Sequence, residues 1–116
     1  MADITIYHHP RCSKSRQTLE LLQENTISPE IILYLETPPS KSEIKSLLNK
    51  LGITARELLR SSEDAYKEGN LADTSLTEEQ LIDVMLANPK LIERPIVVAG
   101  ENAVIGRPPE NVLALI

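Results

Sequence analysis

The sequence predicts one α/β domain built on a mixed β-sheet, with a block of helices inserted in its middle. Its 116 residues are a typical length for a single domain that folds without disulfides or metals. Near the N-terminus two apolar runs flank a helical segment, and near the C-terminus two more are joined by a turn that contains glycine. The first arrangement is typical of a sheet covered by helices, and the second predicts a β-hairpin.

The first three elements are expected to be a strand, a helix and a strand. Residues 3–7 alternate polar and apolar side chains, as strands do. Pro10 stops the extension, and residues 13–25 carry three leucines in a helix-like run. Residues 31–35 form a short, nearly continuous apolar run, which predicts a strand buried on both faces.

The middle of the chain, about residues 40–90, is expected to be helical. Three segments have the capping-box spacing, in which a Ser or Thr is followed three residues later by Glu or Gln; they open at Ser40, Thr54 and Thr77. The polar stretch 61–75 is expected to be a loop with a short helical turn. We therefore expect a helical block between the two halves of the sheet.

The end of the chain is expected to be a hairpin and a terminal helix. The hairpin joins residues 96–99 to residues 103–106, and the helix follows Pro108-Pro109 and carries Val112, Leu113 and Ile116. The whole order is strand, helix, strand, helical block, hairpin, helix. That is the order of a thioredoxin-like (glutaredoxin-like) fold with a helical insertion, and we expect residues 1–116 to form one such domain.

Composition narrows the possible partners. The chain has no Trp, no Phe and a formal net charge of −5, which argues against nucleic acid and against an anionic membrane surface. No apolar run approaches the roughly 20 residues that span a bilayer. With a single cysteine and no secretory signal at its start, the protein is expected to work in a reducing cytoplasm.

The single cysteine, Cys12, lies where the first strand turns into the first helix. A helix N-terminus favours a thiolate over a thiol, and Arg11, Lys14 and Arg16 add cations nearby. His8, four residues earlier, is within plausible reach. As a cation or a hydrogen-bond donor it would lower the thiol pKa further, and the alternative is a turn residue without a role at the site. The thiol is therefore expected to be acidic and nucleophilic.

An activated cysteine suits attack on an electrophile or exchange with another disulfide. Ser15 stands where a dithiol motif has its second cysteine, so an external thiol must resolve any adduct. A cysteine phosphatase is excluded because Thr18 stands where its loop needs arginine. No metal is expected, since His8, His9 and Cys12 lack the spacing and the fourth ligand of a structural zinc site.

Three arginines stand beside helix ends or prolines: Arg60, Arg94 and Arg107. Arginine suits a planar, charge-assisted grip on a tetrahedral oxyanion, although most arginines at such places are solvated surface charges. The Arg94-Pro95 bond, ahead of a strand, is a plausible cis site.

Four segments together resemble the glutaredoxin-linked arsenate reductase family. They are residues 7–16 (YHHPRCSKSR), 31–40 (IILYLETPPS), 55–60 (ARELLR) and 94–98 (RPIVV). The resemblance covers essentially the whole chain and implies a thioredoxin-like fold with a helical insertion. It also implies that Cys12 is the nucleophile, that His8 activates it and that Arg60, Arg94 and Arg107 bind the oxyanion.

This chain departs from the plasmid-type members of that family in two places. It has His9-Pro10 and Ser13-Lys14-Ser15 around the cysteine where those proteins carry Asn-Pro and Gly-Thr-Ser, and it stops well before they do. The shorter form resembles a chromosomal branch whose physiological substrate is open. A related branch of regulators carries Cys-x-x-Cys, which Ser15 excludes here.

The resemblance implies reduction of arsenate to arsenite, with glutathione as co-substrate, glutaredoxin as partner and no bound cofactor. One alternative is a monothiol oxidoreductase linked to glutathione or glutaredoxin, for which arsenate is irrelevant. The other is a protein-binding adaptor without catalysis.

Overall fold

The computed structural model describes residues 4–116, so Asp3, the predicted start of the first strand, lies outside the described residues. The strands are β1 (Ile4–His8), β2 (Glu30–Leu33), β3 (Ile96–Ala99) and β4 (Asn102–Ile105). The α-helices are α1 (Ser13–Glu24), α2 (Lys41–Leu51), α3 (Ala55–Leu58), α4 (Asp64–Glu68) and α5 (Glu78–Ala87). Two 3-10 helices span Pro89–Leu91 and Pro109–Leu115. The predicted element order is confirmed.

The described residues divide into two compact units. The first comprises the described part of Met1–Thr37 together with Arg94–Ile116, and the second is Pro38–Glu93. The second unit therefore contains the helical block and the first contains all four strands.

The first unit is a four-stranded mixed sheet in the order β2-β1-β3-β4. Strand β1 pairs parallel with β2, with Thr5 opposite Glu30, and antiparallel with β3, with Ile4 opposite Ala99. Strands β3 and β4 form the predicted antiparallel hairpin. Helix α1 and the C-terminal 3-10 helix pack against each other and against this sheet. Their shared core consists of Ile4, Ile6, Leu22, Val97, Ala99 and Val112.

The predicted burial of residues 31–35 on both faces is wrong. Strand β2 ends at Leu33, and the Ile31 side chain is 46% exposed. Strand β2 lies at the edge of the sheet, beyond the strands β1, β3 and β4 on which α1 and the C-terminal 3-10 helix pack. The chain turns immediately afterwards, where the backbone N–H groups of Glu36 and Thr37 both donate to the Leu33 carbonyl at 2.9 Å. Tyr34, in this turn, is fully buried.

The predicted terminal helix is a 3-10 helix, and two of its three expected apolar residues are exposed. With three residues per turn, side chains at Pro109, Val112 and Leu115 share one face, and these are the buried or half-buried ones. Leu113 and Ile116 lie off that face and are 43% and 47% exposed. The winding of the last helix therefore decides which apolar side chains reach the core.

In the second unit the three predicted capping boxes are confirmed. Ser40, Thr54 and Thr77 each accept a hydrogen bond from the backbone N–H three residues later, and the acidic or amide side chain there reaches back. Helix α5 packs against α2, α3 and the first 3-10 helix. The stretch 61–75, predicted as a loop with a helical turn, contains α4. Among residues 4–116 no helix has the length and apolarity needed to cross a membrane.

Candidate active site

A tight turn presents Cys12 at the start of α1. The Cys12 N–H donates to the His9 carbonyl at 3.0 Å, which closes a turn with Pro10 in the second position, where its fixed φ is favoured. Cys12 is the N-cap of α1, and its own carbonyl accepts the first helical hydrogen bond, from Arg16, at 3.0 Å. The predicted position of the thiol at a helix N-terminus is confirmed.

Two of the three predicted arginines contact the sulfur. Arg107 donates from Nη2 to Cys12 Sγ at 3.3 Å, and its Nε donates to the Arg94 carbonyl at 2.7 Å. The Arg94 side chain also hydrogen-bonds to Cys12. The bonds Arg94-Pro95 and Arg107-Pro108 are both cis, so the expectation for the first of them is confirmed. Two guanidinium groups therefore lie against the sulfur.

These contacts make Cys12 acidic. Partial burial raises the pKa of the thiol, but the Ser15 backbone amide, the Arg94 side chain, the Arg107 charge and the Lys14 backbone amide together outweigh it. The net result is a thiol pKa below its usual value. A lowered pKa places more of the sulfur in the thiolate form, which is the nucleophile.

Arg94 is held in place by Cys12 and by a residue from the turn after β2. Burial lowers the pKa of Arg94, but the Cys12 sulfur and the Tyr34 hydroxyl raise it to a net value above the usual one. Tyr34 is only 1% exposed, so its hydroxyl interacts with Arg94 away from bulk solvent. The arginine is thus oriented by its contacts at the site.

His8 is buried and is bound to Ser15. Its Nδ1 lies 2.6 Å from Ser15 Oγ, which also accepts from the His9 N–H at 3.1 Å. Burial lowers the pKa of His8, so the neutral ring is favoured over the cation. A cationic His8 is therefore disfavoured; the ring hydrogen-bonds to Ser15, and a role of His8 in activating the thiol stays a prediction.

Arg60 belongs to the second unit. Its Nη1 donates to Glu93 at 2.6 Å and its Nε lies 3.4 Å from Glu63. The backbone N–H of Arg60 donates to the Leu91 carbonyl at 2.8 Å, beside an antiparallel bridge between Leu59 and Ile92. These contacts fix the guanidinium within its unit, and a role for Arg60 in binding an anion stays a prediction.

Sequence patterns do not single out three residues that contact elements of the site: Ser15, Tyr34 and Gly106, whose N–H donates to the Pro95 carbonyl. In the sequence, Ser15 stands in the place of a second cysteine and Tyr34 lies in an apolar run, and neither pattern indicates a contact at the site. Gly106 carried a usable signal, because an isolated glycine at the end of a strand often marks a close approach of backbone to another element. No group of three or more His, Cys, Asp or Glu in residues 4–116 is arranged to hold a metal ion.

The fold and this site define a class of protein: a thioredoxin-like domain with one activated cysteine at a helix N-terminus, held between two arginines. Comparison with known proteins gives the family. The ArsC family pattern matches residues 7–115, which is nearly the whole chain. The protein belongs to the ArsC family.

Individual relatives agree with this assignment. The chain is 60% identical to the Escherichia coli K12 protein YfgD, named as uncharacterized, over 97% of this chain and 96% of that one. It is 48% identical to an arsenate reductase of Escherichia coli, over 100% of this chain and 82% of the relative. The solved structure of an arsenate reductase from Vibrio cholerae is 49% identical, with a TM-score of 0.96 over 99% of this chain and 98% of that one. The predicted thioredoxin-like fold is confirmed.

Proposed function

We propose that this protein is an arsenate reductase. The observation that carries the proposal is the convergence of Arg94 and Arg107 on the Cys12 sulfur at the start of α1. Disulfide exchange needs only an accessible thiolate, whereas attack on a tetrahedral oxyanion also needs positive donors beside the attacking atom. Membership of the ArsC family, with relatives named arsenate reductase, supports the same activity.

In the proposed reaction the Cys12 thiolate attacks arsenic(V), an S–As bond forms and one arsenate oxygen leaves as water after protonation. The guanidinium groups of Arg94 and Arg107 hold the remaining oxygens and offset their charge as the anion approaches the thiolate. Arg60 is proposed as a third ligand of the anion on the basis of the family resemblance alone. His8 is proposed to support the thiolate by orienting Ser15.

Two electrons must reach arsenic, and one cysteine supplies only half of a disulfide. We propose that glutathione provides the second thiol. Its sulfur attacks the Cys12 sulfur of the adduct, the S–As bond breaks with its electron pair staying on arsenic, and arsenite is released. Cys12 is left as a mixed disulfide with glutathione, which a glutaredoxin then reduces. The balance is arsenate plus two thiols giving arsenite, one disulfide and water. The chain contains a single Cys, so it has no resolving thiol of its own.

The test is purified protein with arsenate, glutathione and glutaredoxin, with arsenite measured as product. We expect multiple turnover with the complete mixture, none with Cys12→Ser, and no arsenite when both thiol components are withheld, because Cys12 alone cannot supply the two electrons that arsenic needs. Reduction of glutathionylated substrates without any arsenite would instead establish the monothiol oxidoreductase. Activity in neither assay would favour the adaptor.

A further inference from the structure

Gly106, at the end of β4, lies against helix α1 at a distance that only glycine permits. A Cβ built on Gly106 would lie 2.5 Å from Thr18 Oγ1, 2.8 Å from Pro95 Cγ and 3.0 Å from Thr18 Cγ2. Carbon–carbon contacts are favourable from about 3.5 Å upward, so a methyl group here would displace its neighbours or its own backbone. Thr18 offers little room because it is fully buried.

A hydrogen bond on one side and a polar contact on the other hold Gly106 in the same place. Its N–H donates to the Pro95 carbonyl at 2.9 Å. Its carbonyl lies 3.4 Å from the Thr18 hydroxyl, which donates to the Lys14 carbonyl at 2.8 Å. The backbone at Gly106 is therefore fixed both to α1 and to the segment that begins at Arg94.

The next residue is Arg107, whose guanidinium contacts Cys12 Sγ at 3.3 Å and the Arg94 carbonyl at 2.7 Å. Cys12 caps the same helix that carries Thr18. The backbone carrying the cation and the helix carrying the sulfur are thus joined directly at the Gly106–Thr18 contact. We propose that Gly106 and Thr18 are positioning residues that set the distance between Arg107 and the Cys12 sulfur.

The test is the pKa of Cys12 in Gly106→Ala, followed through the pH dependence of alkylation of the single cysteine. An adjacent opposite charge shifts a pKa by about 1–3 units, and we expect partial displacement of Arg107 to raise the thiol pKa by at least about half a unit. The matched control is Gly100→Ala. Gly100 lies in the β3–β4 turn at φ +64 with nothing within 4 Å of a built Cβ, so alanine there strains the same hairpin without touching α1.

A rescue variant tests the contact itself. In Thr18→Ala/Gly106→Ala the new methyl group takes the space left by the Thr18 hydroxyl and methyl, while the contact with Pro95 Cγ remains. The thiol pKa should therefore return part of the way to the wild-type value. If Gly106→Ala does not fold, Thr18→Val provides the test, because it keeps the shape of Thr18 and removes the hydroxyl. We expect the thiol pKa to rise in Thr18→Val, by less than the rise expected for Gly106→Ala.

Three results would overturn the proposal. The first is a thiol pKa equal to that of the wild type in folded Gly106→Ala or, if that variant does not fold, in Thr18→Val. The others are a rise of the thiol pKa in Gly100→Ala as large as that in Gly106→Ala, and a thiol pKa in the double variant that does not return towards the wild-type value. The KM for arsenate should rise several-fold in Gly106→Ala, and this kinetic part rests on the proposed function. A wild-type protein that makes no arsenite while Gly106→Ala still raises the thiol pKa would refute the proposed function and leave the positioning role intact.

Discussion

Removing the charge of Arg107 tests the electrostatic account of the thiol directly. In Arg107→Gln the side chain keeps polar N–H groups but loses its positive charge beside Cys12. Since that charge is one of the causes that lower the Cys12 pKa, the variant should have a higher thiol pKa. The thiolate fraction at neutral pH should fall accordingly.

The size of the effect follows from the 3.3 Å between Arg107 Nη2 and Cys12 Sγ. Unit charges at this distance interact by about 1.3 kcal/mol in a dielectric of about 80 and by about 5 kcal/mol in one of about 20. Both residues are partly exposed, so solvent screening favours the smaller figure. At about 1.36 kcal/mol per pKa unit, the rise should be about one unit, or about tenfold less thiolate below the pKa.

The assay is the rate of iodoacetamide alkylation against pH, which reports on this site alone because the chain has one cysteine. Arg16→Gln is the matched control: it removes the same charge from an exposed position on α1 and should move the pKa by a few tenths at most. Arg107→Lys should keep most of the lowered pKa. An Arg107→Gln titration that overlays that of Arg16→Gln would refute the reasoning.

Three further results are expected. Arg94→Ala should raise the KM for arsenate about tenfold or more, which is the size expected for one lost charge-assisted hydrogen bond. The rate of exchange with a small disulfide, corrected for the thiolate fraction, should stay near that of the wild type. An unchanged KM would remove Arg94 from the anion site. His8→Ala should raise the thiol pKa by less than Arg107→Gln does, because burial favours the neutral His8 ring and its effect passes through Ser15; an equal or larger rise would restore the cationic role. Because the pKa of Cys12 is lower in the folded than in the unfolded protein, the thiolate stabilises the fold, fully so above the unfolded thiol pKa of about 8.5. This stabilisation is lost as the pH falls through the folded pKa. The free energy of unfolding in urea should therefore change across this pH window by about 1.4 kcal/mol per unit of pKa depression in the wild type, and this change should be absent in Cys12→Ser. Parallel pH profiles for wild type and Cys12→Ser would contradict this linkage.

The features that the sequence predicted correctly are local. A capping box joins residues three apart, so the helices that start after Ser40, Thr54 and Thr77 could be located from spacing alone. The same is true of Cys12, whose place at the start of α1 depends on a turn four residues long. The acidity of the thiol could be expected for the same reason, since helix amides within the next turn supply part of it.

The remaining features depend on which segments the fold brings together. Residues 31–35 were expected to be buried on both faces, but strand order places β2 at an edge, and local hydrophobicity does not encode strand order. Arg107 is 95 residues from Cys12, and the two residues meet because the pairing of β1, β3 and β4 brings the end of β4 back beside the start of α1. Sequence spacing could name Arg60, Arg94 and Arg107 as candidates, yet only the tertiary structure showed which guanidinium groups contact the sulfur. An electrostatic effect on a thiol is set by distance in space, and that distance is a property of the packed chain.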